Sequence, residues 1–115
     1  MKIVINKCYG GFGLSEEAIL LYSKKKGLNI IVVKDRHMKS LNHYYLNEVK
    51  DGNYFSDSDI ERNDPALIEV VEELGEKADG TYSELRIVEI PDDIKWEIDE
   101  YDGKEWVSEV HRRFY

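Results

Sequence analysis

Apolar and polar positions alternate between two periods along this chain. Residues 2–6, KIVIN, form a short apolar run of the kind that makes a strand covered on both faces. Gly10, Gly11 and Gly13 interrupt it, and a helix signal follows at once. Ser15 is an N-cap, with Leu14 and Ile19 at the two positions of a hydrophobic staple. Glu16 and Glu17 favour the positive end of that helix, Lys24, Lys25 and Lys26 favour the negative end, and Gly27 suits the left-handed residue after it. Residues 29–33, NIIVV, are a second apolar strand. Strand, helix and strand read as a right-handed βαβ unit, which predicts that the first two strands lie parallel.

The pattern dissolves over residues 34–63. A variable loop or insert is expected there, with residues 41–49 open to either strand or helix. Asp64-Pro65 restarts order as N-cap and first residue of a second helix. Leu67, Val70, Val71, Leu74 and Ala78 form its apolar stripe, and Gly75 or Gly80 ends it. Residues 84–90, ELRIVEI, give a third strand, expected parallel to the others through a second crossover. Residues 95–101 alternate as an edge strand, forming a hairpin with the third strand through Pro91-Asp92-Asp93. After Asp102-Gly103, residues 104–114 read as a short helix with Val107, Val110 and Phe114 inward. The expected fold class is α/β: one domain with a small, mostly parallel sheet of about four strands and two or three helices.

Composition narrows the function. At 115 residues, 42% hydrophobic and 35% charged, the chain has the make-up of one folded globular domain. Its net charge of −8 argues against a nucleic-acid-binding basic face. That charge serves solubility, or else an acidic surface that imitates nucleic acid or docks on a basic partner. A single cysteine, Cys8, fits a reducing cytoplasm. No secretory signal is read, and no run approaches the roughly 18 apolar residues of a membrane span.

The glycine-rich turn is the first candidate site. A strand that feeds glycines and then a helix N-terminus offers backbone N–H groups to an anion. GGFG lacks both the dinucleotide register and the Walker lysine, so a tight strand-to-helix turn alone is the simpler explanation of it. The candidate ligand-binding set is Cys8, Tyr9, Gly10, Gly11, Phe12, Gly13 and Ser15, joined by Arg36, Arg62, His111 and Arg112 as scarce cations for a phosphate. Tyr9, Phe12, Tyr44 and Tyr45 could stack on a base. Cys8 is a candidate nucleophile or simply a small buried hydrophobe. His37, His43, His111 and Cys8 lack metal-ligand spacing, and Asp57 and Asp59 in SDSD lack the rest of a calcium loop. Neither a metal nor a cofactor is expected.

Three stretches, INKCYGGFGLSEEA, RNDPALIEVVEELGEKADG and LRIVEIPDDIKWEIDEYDGKEWVSEVHR, resemble a family of small proteins of tailed phages and prophages. The resemblance implies an accessory phage protein of the host cytoplasm. The leading expectation is a binder that sequesters a nucleotide-derived defence signal, cyclic or of ADP-ribose type. The alternatives are a module engaging a host protein through its acidic C-terminal third, or a nucleotide-processing enzyme using Glu16, Cys8 or His111. Between Glu89 and Glu109 nine acidic residues face only Lys95 and Lys104. Trp96, Trp106 and Tyr115 make a homo-oligomer plausible.

Overall fold

The computed structural model describes residues 1–38 and 42–110. In chain order it contains β1 (Lys2–Asn6), α1 (Glu16–Lys26), β2 (Ile30–Lys34), β3 (Asn42–Leu46), α2 (Pro65–Leu74), β4 (Leu85–Glu89), β5 (Trp96–Tyr101) and β6 (Lys104–Glu109). Single 3₁₀ turns occupy Asp57–Asp59 and Gly75–Ala78.

The α/β class holds, but the sheet is not parallel. The described strands form three antiparallel pairs: β1 with β4, β2 with β3, and β5 with β6. The helix between β1 and β2 therefore closes no parallel crossover. Its exit at Gly27 turns the chain so that Ile31 faces Tyr45 of β3 and not a residue of β1. The third expected strand exists as β4, but it runs antiparallel to β1 with Ile3 opposite Val88. The expected hairpin between β4 and β5 is also replaced. β5 turns at Asp102-Gly103 and pairs with β6, Ile98 opposite Val107, where a helix had been expected. Residues 111–114 of that expected helix lie outside the described residues. The insert 34–63 supplies β3 and the turn at Asp57–Asp59, so that Asn42–Leu46, within the stretch left open to either element, is strand.

Local signals place both helices. The Ser15 hydroxyl accepts from Ala18 N–H, Gly27 is left-handed at φ 68°, and Asp64 caps α2 through Ala66 N–H with Pro65 following it. The staple residues Leu14 and Ile19 are both buried. α2 ends at Gly75, so Ala78 reaches the core from the 3₁₀ turn and not from the helix.

The core lies between α1, α2 and β1. It gathers Val4, Ala18, Ile19, Tyr22, Leu67, Val70 and Val71, with Ile60 entering from the insert. Leu67 and Val70 are fully covered, each contributing about 1.5–3 kcal/mol of transfer free energy. β1 is buried from Ile3 to Asn6 because both its edges are used. β4 takes one edge. On the other, Val4 N–H donates to the Arg62 carbonyl at 2.8 Å and Asn6 N–H donates to the Glu105 carboxylate at 2.7 Å. A loop and a side chain thus finish β1 in place of a third strand.

Candidate functional site

The glycine turn sits where three segments meet. Asn6, fully buried, ends β1 and organises them. Its amide donates to the carbonyls of Cys8 at 2.7 Å and Gly103 at 2.8 Å, while its oxygen accepts from Glu84 N–H at 2.8 Å. One side chain thereby ties the turn, the β5–β6 bend and the start of β4 together. All its hydrogen-bonding capacity is used, which is what burial of an amide demands.

The glycines follow from that convergence. A Cβ on Gly10 would lie 1.8 Å from the carbonyl oxygen of Tyr82, and one on Gly103 would lie 2.5 Å from Gly11 nitrogen. Gly11 itself takes φ 95°, open to glycine and costly for a side chain. Close approach of protein backbone therefore accounts for Gly10, and a positive φ for Gly11.

The N-terminus of α1 is engaged from within the chain. The Asp57 carboxylate accepts Leu14 N–H at 2.9 Å. The Ser15 hydroxyl accepts Ala18 N–H at 3.1 Å and donates to the Lys77 carbonyl at 2.6 Å. Gly13 accepts from Gly80 N–H and from the Ser83 hydroxyl. An internal carboxylate thus lies at the approach to the α1 N-terminus, just before the Ser15 cap.

The expected cations separate. Arg62 forks onto Glu105 at 2.6 and 2.8 Å and lies 3.6 Å over the Phe12 ring, so turn, insert and β6 share one guanidinium. Arg36 is exposed in the bend after β2, on a sheet that shares no strand with the turn. His111 and Arg112 lie outside the described residues. Tyr9 is exposed, with Lys104 nitrogen 5.5 Å from its ring centre. The Cys8 thiol donates to the Tyr82 carbonyl at 3.1 Å.

Two concavities flank this junction. One, of about 370 Å³, adjoins the start of α1 and is lined by Ser15, Glu16, Asn42, Tyr44, Asp79 and Thr81. Burial pushes the Tyr44 hydroxyl up from its ordinary pKa. The Asn42 hydrogen bond works the other way, and the charges of Glu16 and Asp57 add to the rise. Two carboxylates, Glu16 and Asp79, line this cavity. The other, of about 520 Å³, runs between residues 58–63 and the hairpin, over Arg62 and Glu105, with Trp96 and Ile98 as its apolar wall.

Glu105 also fixes which face of the hairpin looks inward. With Glu105 on β1, the alternation puts Trp96, Ile98 and Val107 on the inner face. Glu97, Asp99, Tyr101, Lys104, Trp106 and Ser108 share the outer one. Tyr101 is 71% and Trp106 45% exposed there. The Ser108 hydroxyl donates to Asp99 at 2.6 Å, ordering one carboxylate beside the indole.

Sequence reading found the turn but missed Asn6, Asp57, Tyr82 and Glu105, which make it a junction. Asn6 closing an apolar strand was the visible signal, since a buried amide needs partners. Among the described residues no three His, Cys, Asp or Glu side chains gather as a metal site, and no helix is long and apolar enough to cross a membrane. No family model, curated protein or solved structure matches the chain.

Proposed function

We propose that the protein is a small binding module whose working surface is the outer face of the β5–β6 hairpin, engaging a basic surface on a host protein. The observation that carries this is the exposure of Trp106 and Tyr101 among Glu97 and Asp99, with Asp102 at the adjoining turn and Lys95 and Lys104 at the two ends of the face. Aromatic anchors within a charged rim are the usual make-up of a protein-binding hot spot, and clustered carboxylates steer a basic partner toward it. The resemblance to phage proteins supports a partner in the bacterial cytoplasm. The test immobilises the purified protein in host lysate beside Trp106→Ala and Asp99→Lys variants. One partner retained by the wild type, weakened by salt and lost in both folded variants, supports the reading. Equal retention by all three overturns it.

A second reading, sequestration of a cyclic or ADP-ribose-type signal, is favoured by the cavity beside Ser15 and Tyr44. Glu16 and Asp79 in its lining suit the hydroxyl and amino donors of a nucleoside better than its phosphate. Such a ligand should stabilise the fold by about 2.7 kcal/mol at a hundredfold excess over Kd, and the midpoint of unfolding should rise accordingly. Tyr44→Ala should abolish the rise, and mass spectrometry should recover the ligand unchanged. No rise with any nucleotide signal ends this reading.

A further inference from the structure

The β2 strand is more exposed than its sequence leads one to expect. Ile30, Ile31, Val32 and Val33 are all only half-buried. Among the described residues β3 is the sole strand paired with β2. Asn47 N–H donates to the Asn29 carbonyl, which fixes the ladder: residues 29, 31 and 33 exchange their backbone bonds with β3. The N–H and C=O groups of Ile30, Val32 and Lys34 therefore point to the opposite edge. The outer edge of β3, by contrast, is covered by the 53–55 segment, through Leu46 N–H to Asn53 and Phe55 N–H to Tyr44.

The two faces differ as well. Ile30 and Tyr44 pack on the core, so Ile31, Val33, His43 and Tyr45 face away from it. Tyr54, 57% exposed, lies against Tyr45 with ring centres 5.1 Å apart. An apolar strand with an open edge and an aromatic outer face is a template for strand addition.

We infer that a second copy of this chain adds to the β2 edge, antiparallel about Val32, to form a continuous β3–β2–β2–β3 sheet. Pairing about a twofold at Val32 is self-complementary: Val32 meets its own copy, and Ile30 of each protomer exchanges bonds with Lys34 of the other. Charge selects the occupant. Two copies at −8 repel wherever carboxylates meet, and β2 contains none. The same register carries Asp35 of each protomer alongside Asn29 of its partner, next to the lysines 24–26 that end α1. Ile31, Val33, Tyr45 and Tyr54 of both copies then make one apolar face. This surface is separate from the hairpin, so either proposal can fail alone.

The test is hydrogen exchange combined with sedimentation of the full chain at high and low protein concentration. Sedimentation should give twice 13.5 kDa at high concentration, and the amides of Ile30, Val32 and Lys34 should slow only there. Val32→Pro removes an edge donor without removing a bond to β3, a position that tolerates proline, and should give a folded monomer. Ile31→Lys, on the outer face, should weaken the dimer and serves if the proline variant does not fold. A monomer at every concentration overturns the inference. So does a dimer in which those three amides exchange freely, or one that survives in the folded variants, as association through the hairpin would.

Discussion

Arg62 holds Glu105 with both guanidinium nitrogens, at 2.6 and 2.8 Å, and through that fork the β5–β6 hairpin is fastened to β1. The Glu105 side chain is 8% exposed and that of Arg62 18%, so the pair is mostly out of water. Such a pair is weak evidence of net stabilisation, but removing one partner strands the other charge. Here Glu105 also satisfies Asn6 N–H.

Glu105→Ala should therefore destabilise by about 3–5 kcal/mol, the cost of breaking a buried pair. Combining it with Arg62→Met removes the stranded cation, so the double variant should be more stable than Glu105→Ala alone. The residual loss should be about 1–3 kcal/mol for the orphaned Asn6 N–H. Urea unfolding of the four proteins in a double-mutant cycle measures the coupling; additive losses would show that the fork does not act as a unit.

That same glutamate explains why β6 was illegible. A strand is recognised by alternation, and its inward positions here are Glu105, Val107 and Glu109, two of them acidic. Val107, Val110 and Phe114 at helical spacing then offered the cleaner period. Both helices were legible because Ser15, Gly27, Asp64 and Pro65 act within one turn of where they stand. Strand direction was not, because the partners of β1 are the distant residues 85–89, Arg62 and Glu105, and an apolar run such as NIIVV looks the same at a half-covered edge as in a buried parallel sheet. The glycine turn was found from local signals, but Asp57 and Tyr82, which occupy its approaches, are distant in sequence.

The two neighbouring glycines should respond differently to alanine. At Gly10 the new methyl meets the Tyr82 carbonyl oxygen, part of the backbone and unable to swing away. A loss on the order of 3 kcal/mol, the upper range of overpacking, is expected. At Gly11 there is open space, and only the φ of 95° is strained, so about 1–2 kcal/mol should be lost. Thermal unfolding of Gly10→Ala and Gly11→Ala checks the order, and a reversed order would contradict the packed junction.

Asp35 starts the connection from β2 to β3 and accepts from His43 at 3.0 Å and from the N–H groups of His37 and Met38. The His43 bond first, then the two backbone bonds, bring its carboxyl down to about 2 from 3.8. A carboxyl more acidic when folded contributes in full above the unfolded value and loses that contribution as pH falls through the folded one. Its window is thus pH 3.8 down to about 2. His43→Ala should raise the Asp35 value part of the way back, since the backbone donors remain. A carboxyl-detected NMR titration would show the rise, and an unmoved Asp35 would assign the shift to the turn alone.

Tyr22 donates its hydroxyl to Asp64 at 2.8 Å, tying α1 to the cap of α2. Burial of Asp64 pushes its carboxyl up, but the Tyr22 hydroxyl, the Ala66 N–H and Lys26 together outweigh it, and the net shift is downward. The same contact acts oppositely on the tyrosine, where burial first and then Asp64 push the phenol up. Being depressed, Asp64 contributes above the usual carboxylate range and loses that contribution as pH falls through its folded value. Tyr22→Phe keeps the ring in the core and removes only the hydroxyl. It should cost about 1.5 kcal/mol near neutrality, as for a hydrogen bond to a charged group. The cost should shrink as Asp64 protonates in acid, because the bond it removes is already weakened there. Unfolding of both proteins by urea from neutral pH down to about pH 3 tests this, spanning the carboxylate range. A deficit that stays constant with pH would mean that the hydroxyl acts through packing and not through the Asp64 charge.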